Sequence, residues 1–202
     1  DIDEIVKLFY CYSNTRSITI TTNGTYPERV GKTVKEIAKS CPNLIIRVPL
    51  SIDGFKEVHD QIRGMNGAWD KVMQTYDSLR FIADHYSNVK IDVTTVLQQA
   101  NIENIDVLVD YVKNQMHVEN HAINYPRGAI REKENILPEE HRYKEIINRS
   151  SEARKQEGYQ FPLFSRILIF LRSLTEMTII EIQKTKKMPF TCLAGKSLIE
   201  IN

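Results

Sequence analysis

The run Leu44-Ile45-Ile46-Arg47-Val48-Pro49-Leu50-Ser51-Ile52-Asp53-Gly54 constrains this chain more than any other stretch of it. A short, β-branched and apolar segment closed by a glycine reads as a buried parallel strand, with Ser51 and Asp53 at its C-terminal tip. The same plan recurs along the sequence. Strand-like runs end in polar residues at Thr21-Thr22-Asn23-Gly24, at Thr94-Thr95-Val96-Leu97 leading to Asn101, and at Ile123-Asn124-Tyr125-Pro126-Arg127-Gly128. A helical pattern separates each tip from the next strand. Parallel neighbours need a crossover of this kind, and such crossovers are right-handed almost without exception. The expected fold class is therefore α/β, a partial (β/α) barrel of parallel strands whose polar tips share one mouth.

Periodicity places the elements. Ile2, Ile5, Val6, Phe9 and Tyr12 fall on one face of a helix over residues 1–13, and a strand over 17–22 follows. Asn23-Gly24 supplies a turn, and Pro27 suits the first turn of a helix ending near Ser40. After strand 44–52 come a short helix over 55–61 and a long one over 68–86, with Trp69, Val72, Met73, Tyr76, Leu79, Ile82 and Ala83 inward. Strand 90–97, helix 104–116 and strand 121–125 complete four strand-then-helix transitions. Beyond Gly128 the pattern changes to helices over 138–158 and 161–186 and a short strand over 198–201. The chain is accordingly divided into a partial barrel (1–128), a helical extension (129–188) and a distinct tail (189–202).

With 202 residues and 42% hydrophobic content, the chain can bury a sizeable core. A formal net charge of +1, with no block of like charges, gives no footprint for nucleic acid or for a membrane surface. No apolar run of about 18 residues is present, and no signal peptide opens the chain, so a cytoplasmic protein is expected. The three cysteines, Cys11, Cys41 and Cys192, are too widely spaced for a disulfide framework. The chain starts Asp1-Ile2-Asp3 and enters a helix at once, which suggests part of something longer. A parallel sheet cut off on one side exposes an edge, so a homo-oligomer through that edge, or a further segment over it, is expected.

Alone, Thr22-Asn23-Gly24 and Ser51-x-Asp53-Gly54 are ordinary strand-ending turns. As an ordered set they resemble the radical S-adenosylmethionine (SAM) enzymes. The set is a helix, I-x-I-T-T-N-G, a strand with S-I-D-G-x-x-x-x-H-D-x-I-R-G, a long helix, V-x-T-T-V-x-x-x-N, and a strand ending P-R-G, over about residues 1–128. The tail Phe190-Thr191-Cys192-Leu193-Ala194-Gly195 is similar to the start of a SPASM or twitch extension, in which such a cysteine binds an auxiliary iron–sulfur cluster. On its own Cys192 is an ordinary buried thiol. Two family features are missing from this sequence, the C-x-x-x-C-x-x-C loop after the first barrel strand and the G-G-E-P segment after the second. The resemblance thus begins at the third strand unit, and the three thiolates that a 4Fe-4S cluster needs are expected outside this chain.

The resemblance implies a parent enzyme that reductively cleaves SAM at a 4Fe-4S cluster, forming a 5′-deoxyadenosyl radical for hydrogen abstraction. Its SPASM-like tail implies a peptide or protein substrate. It assigns SAM contacts to Thr22 and Asn23 on the third strand, Ser51 and Asp53 on the fourth, Thr94 on the fifth, and Tyr125 beside adenine on the sixth. Uncharged hydroxyls and amides suit ribose and an adenine edge, because they satisfy buried polar groups without a desolvated charge. Arg63 has two readings, neutralising the SAM carboxylate or pairing with Asp60. His59 reads as a satisfied packing or capping residue, His85 and His141 as solvated, and His117 and His121 straddle a helix end. Two other functions compete. A Schiff-base aldolase needs a lysine at a strand tip, and Lys90 stands at the wrong end of its strand; a non-catalytic truncated barrel serving as a binding or assembly module would use the same residues.

Overall fold

In the computed structural model, residues 2–124 and 141–146 are described, together with Leu174, Thr178, Glu181, Ile182 and Thr185. The chain divides into two units, Asp1–Arg154 and Lys155–Asn202. The first unit begins with helix α1 (Ile2–Tyr12), strand β1 (Ser17–Thr19) and helix α2 (Pro27–Ser40). Strand β2 (Ile45–Ser51), helices α3 (Lys56–Arg63) and α4 (Ala68–His85), strand β3 (Val89–Val96), helix α5 (Ile105–Gln115) and strand β4 (Asn120–Asn124) follow. In the second unit the described residues are helical, with Thr178 Oγ1 donating to Leu174 O at 2.8 Å and Thr185 Oγ1 to Glu181 O at 2.9 Å.

The four strands form one all-parallel sheet in the order β1-β2-β3-β4, which makes the first unit a partial (β/α) barrel. Spatial order repeats chain order, so right-handed crossovers set the intervening helices against one face. Burial follows from that. Ile46, Val48 and Leu50 of β2 are fully buried under the helices, while Arg47, Pro49 and Ser51 between them are half-buried. Among the described residues, helices lie against one side of β2, and its burial alternates with period two. The helix-side core is Val34, Ile37 and Ala38 of α2, Val72, Leu79 and Ile82 of α4, Leu108, Val109 and Val112 of α5, and the aliphatic residues of β2 and β3.

Two close approaches fix the helices on the sheet. Gly24, after β1, has φ +72, and a Cβ there would stand 2.5 Å from Val72 Cγ2 of α4. The buried hydroxyl of Thr75, one turn on, donates to Gly24 O at 2.7 Å, so α4 holds the turn by contact and by hydrogen bond. Gly31 of α2 lies against Ser78 of α4 in the same way. Trp69, Met73 and Ala83, expected inward, are only half-buried, and Thr75 is the buried polar residue of this face. On α1 only Val6 is buried; Ile2, Ile5, Leu8, Phe9 and Tyr12 stay exposed. Near α5, the helical residues 141–146 bury Tyr143 and Ile146, and Arg142 pairs with Asp106 at 2.5 Å.

Candidate functional site

The strand tips carry the polar residues singled out from the sequence. Ser51 of β2 is the register partner of Thr94 of β3, so the two side chains project to the same face, away from the helices. Both are half-buried. Thr22 bridges Leu50, which puts Asn23 next along the strand beside Ser51. Thr22 itself falls in register with Leu50, toward the helix-covered face, and its hydroxyl accepts Gly24 N–H at 3.1 Å. Asn23 is exposed, and its Oδ1 accepts from Thr25 N–H at 3.1 Å and from the Thr25 hydroxyl at 2.8 Å. Asn23, Ser51 and Thr94 therefore share one edge of one face. Tyr125 and Cys192 lie outside the described residues.

One residue-pair below the Ser51 and Thr94 level, Asp92 partners Pro49 across the sheet. Its carboxylate is buried and is held by Arg47, with Nε donating to Oδ2 at 2.8 Å and an NH2 to Oδ1 at 2.5 Å. Two residues along a strand span roughly 7 Å, so this bidentate pair neutralises the charge directly beneath the rim. Lys90 lies lower still, at the start of β3, and pairs with Glu119 at 3.2 Å, so it does not stand at the strand tips as a Schiff-base lysine would have to.

Behind the rim, side chains replace the ladder where β2 and β3 part. The Thr95 hydroxyl donates to Ile52 O at 2.6 Å and lies 2.8 Å from His121 Nε2. Asp53, almost wholly buried, accepts Val96 N–H on Oδ1 at 2.9 Å and pairs through Oδ2 with Arg63 at 2.6 Å. Asn101, equally buried, donates from Nδ2 to Asp53 O at 2.8 Å and to Val96 O at 2.9 Å, and its Oδ1 accepts Gln98 N–H at 2.8 Å.

Helix α3 grips the same residue. His59 is fully buried, and its Nδ1 accepts Asp53 N–H at 3.2 Å, which puts the neutral ring's proton on Nε2. Burial pushes its pKa below the ordinary value, and the charge of Asp53 only partly offsets that. Trp69 packs edge-on against its ring, with Phe55 and Tyr111 beside the indole. Arg63 is thus paired with Asp53, a partner that neither sequence reading had named. Asp60 is occupied elsewhere: its oxygens accept Gly67 N–H at 2.7 Å and Trp69 N–H at 2.8 Å, and the amide bonds, Trp69's foremost, lower its pKa. That carboxylate caps the start of α4.

Chemically, the rim offers uncharged donors and acceptors over a neutralised pair, suited to holding a polar, nucleoside-like ligand. Among the described residues no group of three His, Cys, Asp or Glu could hold a metal ion, and no helix is long and apolar enough to cross a membrane. Asn101 and Thr95 carry the strongest unanticipated roles. Both stand in the V-x-T-T-V-x-x-x-N run quoted from the sequence, which gave neither of them a role.

No protein-family model matches the chain. Over 97 residues, 48% of its length, it is 27% identical to an Fe-coproporphyrin III synthase of Methanosarcina barkeri (strain Fusaro / DSM 804). The match covers 22% of that protein, so the chain spans less than a quarter of its relative's length. That relative is a radical SAM enzyme, and the chain is therefore a distant and partial homologue of one member of that family.

Proposed function

We propose that this chain forms the SAM-holding part of a radical SAM enzyme, with the rim at Asn23, Ser51 and Thr94 gripping the nucleoside of the cofactor. The observation that carries the reading is the convergence of those three residues on one face, with Ser51 and Thr94 in direct register. The donor set fits. Half-buried hydroxyls and an exposed carboxamide can satisfy ribose hydroxyls and an adenine edge, while the Arg47–Asp92 pair leaves no bare charge beneath them. Tyr125, next after β4, would flank the adenine ring. Among the described residues no group of three His, Cys, Asp or Glu could hold a 4Fe-4S cluster, and its three thiolate ligands would lie in the C-x-x-x-C-x-x-C loop that this sequence lacks. Cys192 would open a SPASM-like segment for an auxiliary cluster, and the reaction would be hydrogen abstraction from a peptide or protein.

Within this reading the chain's work is placement. The strand-tip residues Asn23, Ser51 and Thr94 would hold the nucleoside, and the packed helices behind them would help to exclude water. The experiment is titration of the chain with S-adenosylhomocysteine by calorimetry. Ser51→Ala and Thr94→Ala each remove one hydroxyl and should weaken binding by about fivefold to tenfold, the worth of roughly one hydrogen bond. Absence of binding at millimolar ligand would overturn the reading. Anaerobic iron and sulfide reconstitution should leave the chain colourless, and uptake of a 4Fe-4S cluster would overturn the assignment of its ligands.

A further inference from the structure

We propose that Asp53, His59, Arg63 and Asn101 form a latch that positions the β2–β3 rim, and that none of the four contacts the ligand. The inference rests on the ligand reading above, but its geometry stands independently. The run Asp53-Gly54-x-x-x-x-His59-Asp60-x-x-Arg63 supplies an anion, an imidazole, a second anion and a guanidinium at fixed spacing. Each makes a contact within the fold, although His59 Nε2 and Arg63 Nε are buried without a hydrogen-bond partner. His59 and Arg63 are one turn apart on α3 and reach back to the same residue, one to the backbone N–H of Asp53 and the other to its carboxylate. The remaining carboxylate oxygen of Asp53 crosses to Val96 N–H on β3. From the far side, Asn101 ties Asp53 O to Val96 O with a single amide nitrogen.

Three elements, the β2 tip, the β3 tip and α3, thus meet on Asp53. The sheet ladder ends at the Ser51 and Thr94 pair, and beyond it Ile52 N–H still reaches Thr94 O at 3.0 Å. Without the latch, the two tips would be free to splay immediately past the residues whose hydroxyls face the rim. Asp53 is 2% exposed and its oxygens already have a backbone donor and a cation. A carboxylate placed that way has little capacity for a ribose hydroxyl. The residues left for the ligand are the uncharged ones, Asn23, Ser51 and Thr94, and the charged part of the run acts on them through the backbone.

The test uses the whole chain, without and with S-adenosylhomocysteine. In the free protein, amide exchange at Val96 and Gln98 is followed by NMR, with Ile46 and Ile91 as mid-strand controls. Asp53→Ala and Arg63→Gln should each speed exchange at Val96 by about tenfold or more, although Arg63 does not touch it, and leave the controls unchanged. Asp53→Asn retains an acceptor for Val96 N–H and should restore protection to within about threefold of the parent. Ser51→Ala should leave Val96 protection unchanged while weakening the ligand. For the ligand, Asp53→Ala should lose about tenfold in affinity and Asp53→Asn should recover most of it. Val96 protection unchanged in both Asp53→Ala and Arg63→Gln would overturn the latch. So would an Asp53→Asn variant that keeps Val96 protection yet loses binding as fully as Asp53→Ala, since Asp53 would then be a ligand contact. If the parent chain fails to bind, the ligand reading falls, and the exchange data decide the latch alone. Should Asp53→Ala not fold, Arg63→Gln and Asn101→Ala carry the same measurements.

Discussion

Gly24→Ala tests how the candidate rim is held in place. Gly24 follows Asn23 directly, at φ +72, and an added methyl would meet Val72 Cγ2 at 2.5 Å and the Val72 Cα of α4 at 3.0 Å. Two costs arise. A residue with a Cβ in the left-handed region costs about 1–2 kcal/mol. Forcing a methyl against packed helix backbone adds about 1–3 kcal/mol, since Val72 can move only by shifting α4. The expected loss is therefore about 2–5 kcal/mol, a large share of a domain's stability. Gly64→Ala is the control for the first cost alone, because φ there is +61 and nothing lies within 4 Å of the new methyl. Gly31→Ala is a milder comparison, because its methyl would meet the rotatable Ser78 hydroxyl at 2.4 Å instead of helix backbone, and it should cost less than Gly24→Ala. Urea unfolding of the three variants, with equal m-values, gives the comparison. If Gly24→Ala lost no more than Gly64→Ala, α4 would not be packed on the turn, and the account of how the rim is supported would be wrong.

Other outcomes follow from the same geometry. Asp92→Asn keeps the shape of its side chain but ends the bidentate pair with Arg47, and should cost about 1–3 kcal/mol in urea unfolding; a neutral result would mean the pair contributes nothing beneath the rim. His59 has a folded-state pKa below its ordinary 6.5, with burial as the chief cause, Asp53 and Asp60 opposing it and Arg63 adding to it. As pH falls below 6.5 the unfolded chain takes up a proton that the folded chain refuses, so stability should decline until the folded-state pKa is reached. His59→Asn, which keeps an acceptor near the Nδ1 position, should flatten that decline between about pH 7 and about pH 5, and an unchanged slope would show that another group carries it. β1 is an edge strand of the described sheet, and Ile2, Ile5, Phe9 and Tyr12 of α1 are exposed. The chain expressed alone should self-associate there, Ile5→Glu with Phe9→Lys should reduce it, and a monodisperse monomer in light scattering would refute the interface.

Element types were legible because each β/α unit writes its own period. The long helix was expected at 68–86 and runs Ala68–His85; the central strand was expected at 44–52 and runs Ile45–Ser51. The periodic signal could not say which faces would be covered. A run as apolar as Ile45 to Leu50 suits burial on both sides, yet its alternate residues stand half-open, and among the described residues helices lie against one face. The apolar face of α1 was legible as a stripe, but only Val6 of it is buried, since period reports amphipathicity and not the presence of a neighbour. At the rim, Ser51 and Thr94 were legible as polar residues at strand tips, while the roles assigned to them came from the family resemblance. The partners of Asp53 were not, because Val96, Arg63 and Asn101 reach it from three elements across separations of 43, 10 and 48 residues, and no local pattern encodes such meetings. Arg63 and Asp60, three residues apart, looked like a helical pair. Each has a better partner that only the tertiary structure supplies.

The strand order β1-β2-β3-β4 has a consequence for synthesis. Every strand docks beside the one made just before it, so each β/α unit can be added as it leaves the ribosome, without waiting for a partner still to be translated. Val96 and Asn101 come last among the groups that grip Asp53, which means the mouth sets only after the third strand has emerged.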